Sequence, residues 1–222
     1  MTGFGASPIT VPVLAHVLPL PFVLSLVAVL DLASAAVLGV HTRKQADGRE
    51  LLVLVPFSIV GIALGVTLLI RLPRDATLLA LGVFVCGYAL YVMLRRGPHR
   101  PFGRAWAAPA GLLSGVLGSL FGIGGAPYVV YLAGRIADTT AQRATISQMV
   151  ALNVGLRVAA FAIAGLLAGR DLWLAIGVLL PVAWAGVWAG NQLHIRVAPE
   201  KAVRIVGAVL LVSGASLIAR AL

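Results

Sequence analysis

Apolar runs about as long as a bilayer is thick constrain this chain more than any other feature. A helix of about 20 residues covers a hydrocarbon core of about 30 Å. Runs of that kind occupy 17–40, 51–70, 76–94, 145–169, 172–193 and 203–219. Backbone N–H and C=O groups in lipid have no water to bond, so each run is expected to satisfy its own hydrogen bonds as a helix. The expected fold class is all-α, a polytopic transmembrane helical bundle. Composition agrees, with 60% hydrophobic and only 11% charged residues against about a quarter charged in soluble domains.

A net charge of +10 would suggest a nucleic-acid partner in a soluble protein. Here the basic residues sit in short connections between apolar runs, where cytoplasmic loops collect Lys and Arg beside anionic headgroups. The partner is therefore the lipid bilayer, and no nucleic acid is expected. Loops 41–50 and 95–104 hold seven Lys and Arg residues against two in 71–75, which places both richer loops on the cytoplasmic side. Cys86 has no second cysteine to pair with, so neither an intramolecular disulfide nor a cysteine metal site can form. No basic region precedes the first apolar stretch, so a cleavable signal peptide is not expected.

The stretch 105–134 departs from the other runs. As one helix its 30 residues would reach roughly 45 Å at about 1.5 Å each, well beyond the hydrocarbon. An interruption is expected at "FGIGGAP", 121–127, where glycines disfavour helix and a proline suits the first turn of a new one.

The chain also repeats itself. Segment 56–82 aligns without gaps on 181–207, at a constant offset of 125. Pro56, Gly61, Gly65, Arg71 and Gly82 fall on Pro181, Gly186, Gly190, Arg196 and Gly207, and Asp75 falls on Glu200. The small-xxx-small pairs Gly61/Gly65 and Gly186/Gly190 are expected to let membrane helices approach closely. At an offset of 119, "GFGASP" (3–8) matches "GIGGAP" (122–127). Each half thus opens with a broken helix and continues with three full spans. Two parallel four-helix repeats follow, 1–97 and 105–222, joined by a cytoplasmic loop at 98–104 and related by an axis along the membrane normal.

A duplicated four-helix permease with a glycine break opening each half resembles the sulfite exporter TauE/SafE family of bacterial membrane proteins. The elements that carry the resemblance are "GLLSGVLGSLFGIGGAP" (111–127) and the repeated Pro-x4-Gly-x3-Gly spans, and it extends over nearly the whole chain. It implies a multi-pass protein of the bacterial inner membrane that moves small sulfur-containing anions such as sulfite or organosulfonates. Two departures stand out. The first repeat begins at Met1, directly before its glycine motif, so half of its first helix is missing; either the start lies upstream, the preferred expectation, or a shortened helix is tolerated. Ala6 stands where the second motif has Gly125, the second of its paired glycines, and Ser7 follows it, which puts equivalence of the two half-sites in doubt.

A half-helix N-terminus carries partial positive charge and unsatisfied N–H donors, a setting that suits an anion. Gly124, Gly125 and Ala126, facing Gly5, Ala6 and Ser7, are the expected substrate-binding donors; the alternative is that the glycine breaks serve packing alone. Ionisable residues inside spans cost several kcal/mol and so pair or function. Two stand out, Asp31 in 17–40 and Arg157 in 145–169. Arg157 is expected to attract the anion, with Asp31 as counter-ion or as carrier of coupling protons; a purely structural pair is the alternative. Asn153 precedes Arg157 by one turn and shares its face, so it joins the candidate substrate-binding residues. Asn191, Gln192 and His194, at a span end, suit interfacial solvation, and His16 suits a structural role.

Neither HExxH, GxSxG, a Walker lysine motif nor CxxC occurs, so no enzyme activity and no cofactor is expected. A secondary transporter is the leading reading, and Asp31 favours proton coupling. The competing readings are a membrane scaffold subunit, a transporter of an unrelated solute and a membrane-embedded enzyme, the last short of converging nucleophiles or ligands. Parallel repeats are compatible with a monomer or a homo-oligomer.

Overall fold

The computed structural model describes residues 7–39, 45–94, 103–193 and 211–219. Helices, with no strand among the described residues, run in the order α1 (Ser7–Leu14), α2 (Leu20–Gly39), α3 (Gly48–Arg71), α4 (Arg74–Leu94), α5 (Ala107–Phe121), α6 (Gly125–Arg135), α7 (Thr139–Ile163) and α8 (Arg170–Leu193). A final helix, α9, occupies 211–219. Among the described residues, α3 and α7 are each long and apolar enough to cross a membrane, with mean hydropathy 2.6 and 1.6. Outward-facing side chains such as Ile59, Leu64, Leu174, Val178 and Val182 are apolar and exposed. Ser58, Ser114, Asn153 and Arg157 are buried. Apolar outside and polar within is the arrangement a hydrocarbon solvent favours.

Helix ends are set by caps rather than by hydropathy. The carboxylate of Asp138 accepts the amides of Thr140 and Ala141 and starts α7 six residues before the apolar run begins. At the other end Gly165 takes φ +75°, and Leu166 N–H donates to the Phe161 carbonyl at 2.9 Å, closing α7 at Ile163 although 164–169 is still apolar. Asp47 caps α3 through the Arg49 amide, and its own N–H donates to Thr145 Oγ at 2.8 Å, tying the start of α3 to α7.

The tightest seam joins α3 to α5. Gly61 and Gly65 of α3 meet Gly115 and Ser119 of α5, and Gly111 lies against the Leu54 carbonyl and Phe57. At such distances only the absence of a side chain lets the backbones touch, and dispersion then holds the pair. The start of α8 packs on α2 through Leu172 and Ile176 against Leu26, and a methyl on Gly186 would touch no described atom within 4 Å. Gly190 lies outside the residues whose side chains are described. A second small-residue contact, between Gly82 and Gly214, pairs α4 with α9.

Candidate functional site

The interrupted helix breaks where its sequence predicts. After Phe121 the chain passes through Gly122 in the left-handed conformation (φ 73°), and the Gly122 amide reaches back to the Gly118 carbonyl. The Ile123 amide donates to the Leu117 carbonyl at 3.3 Å, completing a C-terminal cap of the Schellman type. Three residues later Gly125 starts α6 with no side-chain cap. The first amides of a helix have no intrahelical acceptor, so Gly125 and Ala126 offer N–H groups at the positive end of α6 with no hydrogen bond among the described residues, and Pro127 has none to offer.

Two side chains brace the break. Ser114 Oγ donates to the Gly124 carbonyl at 2.5 Å, and Asn153 Nδ2 donates to Ser114 Oγ at 3.4 Å. A methyl placed on Gly118 or on Gly124 would stand 3.2 Å from Asn153 Oδ1, so α7 presses its asparagine into the elbow. One turn further along α7, Arg157 is 3% exposed. Its Nη1 donates to the Gly118 carbonyl at 2.8 Å, at the negative end of α5 where a cation is stabilised. Its Nη2 meets Asp31 Oδ2 at 3.3 Å. Its Nε has no hydrogen-bond partner among the described residues, which is costly for a buried charged group.

Asp31 is the more accessible member of the pair, 24% exposed, and it accepts a second bond from Ser7 Oγ at 2.5 Å. Ser7, inside the first glycine motif, opens α1. It also abuts the second break, since a Gly122 methyl would lie 3.4 Å from Ser7 Cβ and 3.1 Å from Val11 Cγ2. Ser7, Asp31, Gly122 and Arg157, from four helices or helix ends, therefore converge on one point beside the elbow. Gly5 and Ala6 lie outside the described residues. The Ala126 side chain, with Pro127, Leu113 and Tyr131, lines an open apolar groove of about 310 Å³, so its contribution toward the polar centre is its amide alone. His16 sits away from this point and bonds Ser216 Oγ and the Pro12 carbonyl.

Sequence reasoning missed a second polar centre. Glu50 belongs to the first turn of α3, and its side chain is 4% exposed. It accepts from Tyr131 Oη at 2.6 Å, from Arg135 Nε at 3.1 Å and from Arg104 Nη2 at 3.5 Å. Its place as the last residue of a charged loop concealed it. The available signal was an acid at the edge of an apolar run, next to the basic end of another.

The sulfite exporter TauE/SafE family model matches residues 1–217. The chain is 28% identical over 199 residues to the probable inner membrane transporter protein TsaS of Comamonas testosteroni, covering 86% of this chain and 81% of that protein. No solved structure matches. The chain belongs to the sulfite exporter TauE/SafE family and is a multi-pass transporter of the inner membrane.

Proposed function

We propose that this family member is a secondary transporter that passes small anions, sulfite or organosulfonates, between two related repeats, 1–97 and 105–222, joined by 98–104. Helices α3 and α7 start on one side, where the Asp47 amide meets Thr145, and α8 returns from the far end of α7. Thus α3 and its repeat mate α8 run in opposite directions, which favours inverted over parallel repeats. Agreement between the chain order of the helices and the two sequence offsets supports the repeats. In each half a glycine motif runs into a short helix, α1 or α6, and further helices follow, α2, α3 and α4 in the first half and α7, α8 and α9 in the second.

The observation that carries the reading is Arg157, a buried guanidinium held at the elbow by a helix-end carbonyl, with its charge met by a carboxylate from another helix. A buried cation with one donor idle is expensive as a mere strut. It is well suited to an oxyanion, which guanidinium planes grip through paired N–H groups. Asp31 then stands where the substrate's negative charge is to sit. Protonation of Asp31 releases Arg157 to the anion, assisted by the free amides of Gly125 and Ala126, with Ser7 able to turn its hydroxyl from carboxylate to substrate. When the anion leaves, Asp31 gives up its proton and re-forms the pair. Anion and proton are thereby coupled with no cofactor, and Asn153 keeps the elbow in shape.

The test is radiolabelled sulfite flux into proteoliposomes at mildly alkaline pH, where little sulfur dioxide forms to leak across. Flux above protein-free vesicles is expected. Flux equal to that control rejects sulfite as substrate and leaves organosulfonates to be measured in the same way.

A further inference from the structure

The Glu50 centre holds more positive charge than its carboxylate can neutralise. Arg104 and Arg135 bring two guanidiniums to one buried acid, and their side chains remain 53% and 38% exposed. Each contributes one N–H to Glu50. A guanidinium has five N–H donors, and no other partner of either arginine occurs among the described residues. Two like charges do not settle side by side in the open. Glu50, which also accepts from the Tyr131 hydroxyl, holds them together, and the three charged groups leave a net charge of +1.

Position gives the cluster a second meaning. Arg135 ends α6 and Tyr131 lies one turn before it, while the first turn of the same helix forms the elbow beside Arg157. Eleven residues of α6 separate the two centres by about 15 Å along the helix. Arg104 belongs to the basic connection 95–104, which the charge distribution places on the cytoplasmic side.

We infer that Arg104 and Arg135, held as a pair by Glu50, form an outer docking station for the oxyanion at the cytoplasmic end of α6. The inference rests on the anion-transport reading for the identity of its ligand, and on the cluster itself for the binding. An anion held between two half-exposed guanidiniums gains charge-assisted bonds and remains hydrated on its open side, so it is captured without being trapped. Glu50 is a positioning residue: it sets the separation of the pair and does not itself meet the anion.

The experiment is arginine labelling with phenylglyoxal on the purified full chain in detergent, read site by site by mass spectrometry, with inorganic sulfate as probe and chloride at equal ionic strength as control. Sulfite is unsuitable because it adds to the reagent. Saturating sulfate is expected to slow labelling of Arg104 and Arg135 about fivefold, as for a site mostly occupied, and to leave exposed Arg49 and Arg143 unchanged. In Arg135→Ala the protection of Arg104 should vanish, because one guanidinium alone does not make the site. Arg157→Ala should keep the protection while losing sulfite flux. Equal labelling of wild-type Arg104 and Arg135 with and without sulfate overturns the station, and so does protection of Arg104 that persists in Arg135→Ala. Protection without flux supports the station and withdraws the transport reading alone, whereas flux without protection overturns the station and leaves the Arg157 site standing.

Discussion

Replacing Gly115 by alanine puts a methyl group into the closest helix contact of the protein. Built on the backbone, that carbon would lie 2.5 Å from the Ile62 amide nitrogen and 2.7 Å from the Gly61 carbonyl carbon. Both atoms belong to the α3 backbone and have no rotamer with which to move aside. Restoring ordinary contact at about 3.4–4.0 Å requires the helices to part by roughly 1 Å, and gaps of that size forfeit a quarter to a half of each atomic contact along the seam. Overpacking of this kind costs about 1–3 kcal/mol, and a further backbone clash with the Ser58 carbonyl oxygen puts Gly115→Ala at the upper end. With about 2–4 °C lost per kcal/mol for a chain of this size, the midpoint should fall by about 5–10 °C. Gly177→Ala is the control. It lies inside α8 with no described atom within 4 Å, so it should gain about 0.5–1 kcal/mol of helix propensity. Both changes can be followed through Cys86, the lone cysteine, which sits against the Leu211 carbonyl and becomes reactive to a fluorogenic maleimide as α4 and α9 separate. Equal midpoints for the two variants would refute the close-packing argument.

Three further expectations follow from the elbow and its pair. Gly122→Ala forces a side chain into a left-handed residue and against Val11, so it should cost about 1–2 kcal/mol from backbone strain alone, visible in the same maleimide assay. Asn153→Ala should lower stability by about 1 kcal/mol through the lost hydrogen bond to Ser114 and raise the half-saturating sulfite concentration in flux assays; an unaltered half-saturation would remove Asn153 from the elbow's function. Asp31→Asn keeps the size of the side chain and removes its titration, so flux should become insensitive to an imposed pH gradient. A gradient response like that of the wild type would detach Asp31 from coupling.

Features set by local chemistry were legible in the sequence. Run length exposed the spans, and a glycine cluster followed by proline marked the elbow within its few residues. Asp31 and Arg157 stood out because lipid tolerates so few charges, and the same scarcity leaves each little choice of partner. Features that depend on distant neighbours were not legible. That Gly61 and Gly65 meet α5 rather than another helix is decided by which span α3 packs upon, which the local pattern does not state. The limits of α7 followed Asp138 and Gly165 against the drift of hydropathy. Glu50 was read as part of a loop because burial at a helix start depends on Tyr131 and Arg135, more than 80 residues away.

The measurement closest to the central claim compares sulfite flux through wild type, Arg157→Lys and Arg157→Ala in proteoliposomes at matched insertion. The account predicts flux in the wild type, a reduced rate with lysine, which keeps the charge and loses the planar fork, and none with alanine. Wild-type rates in Arg157→Ala would contradict it, since the anion would then cross without the guanidinium at the elbow.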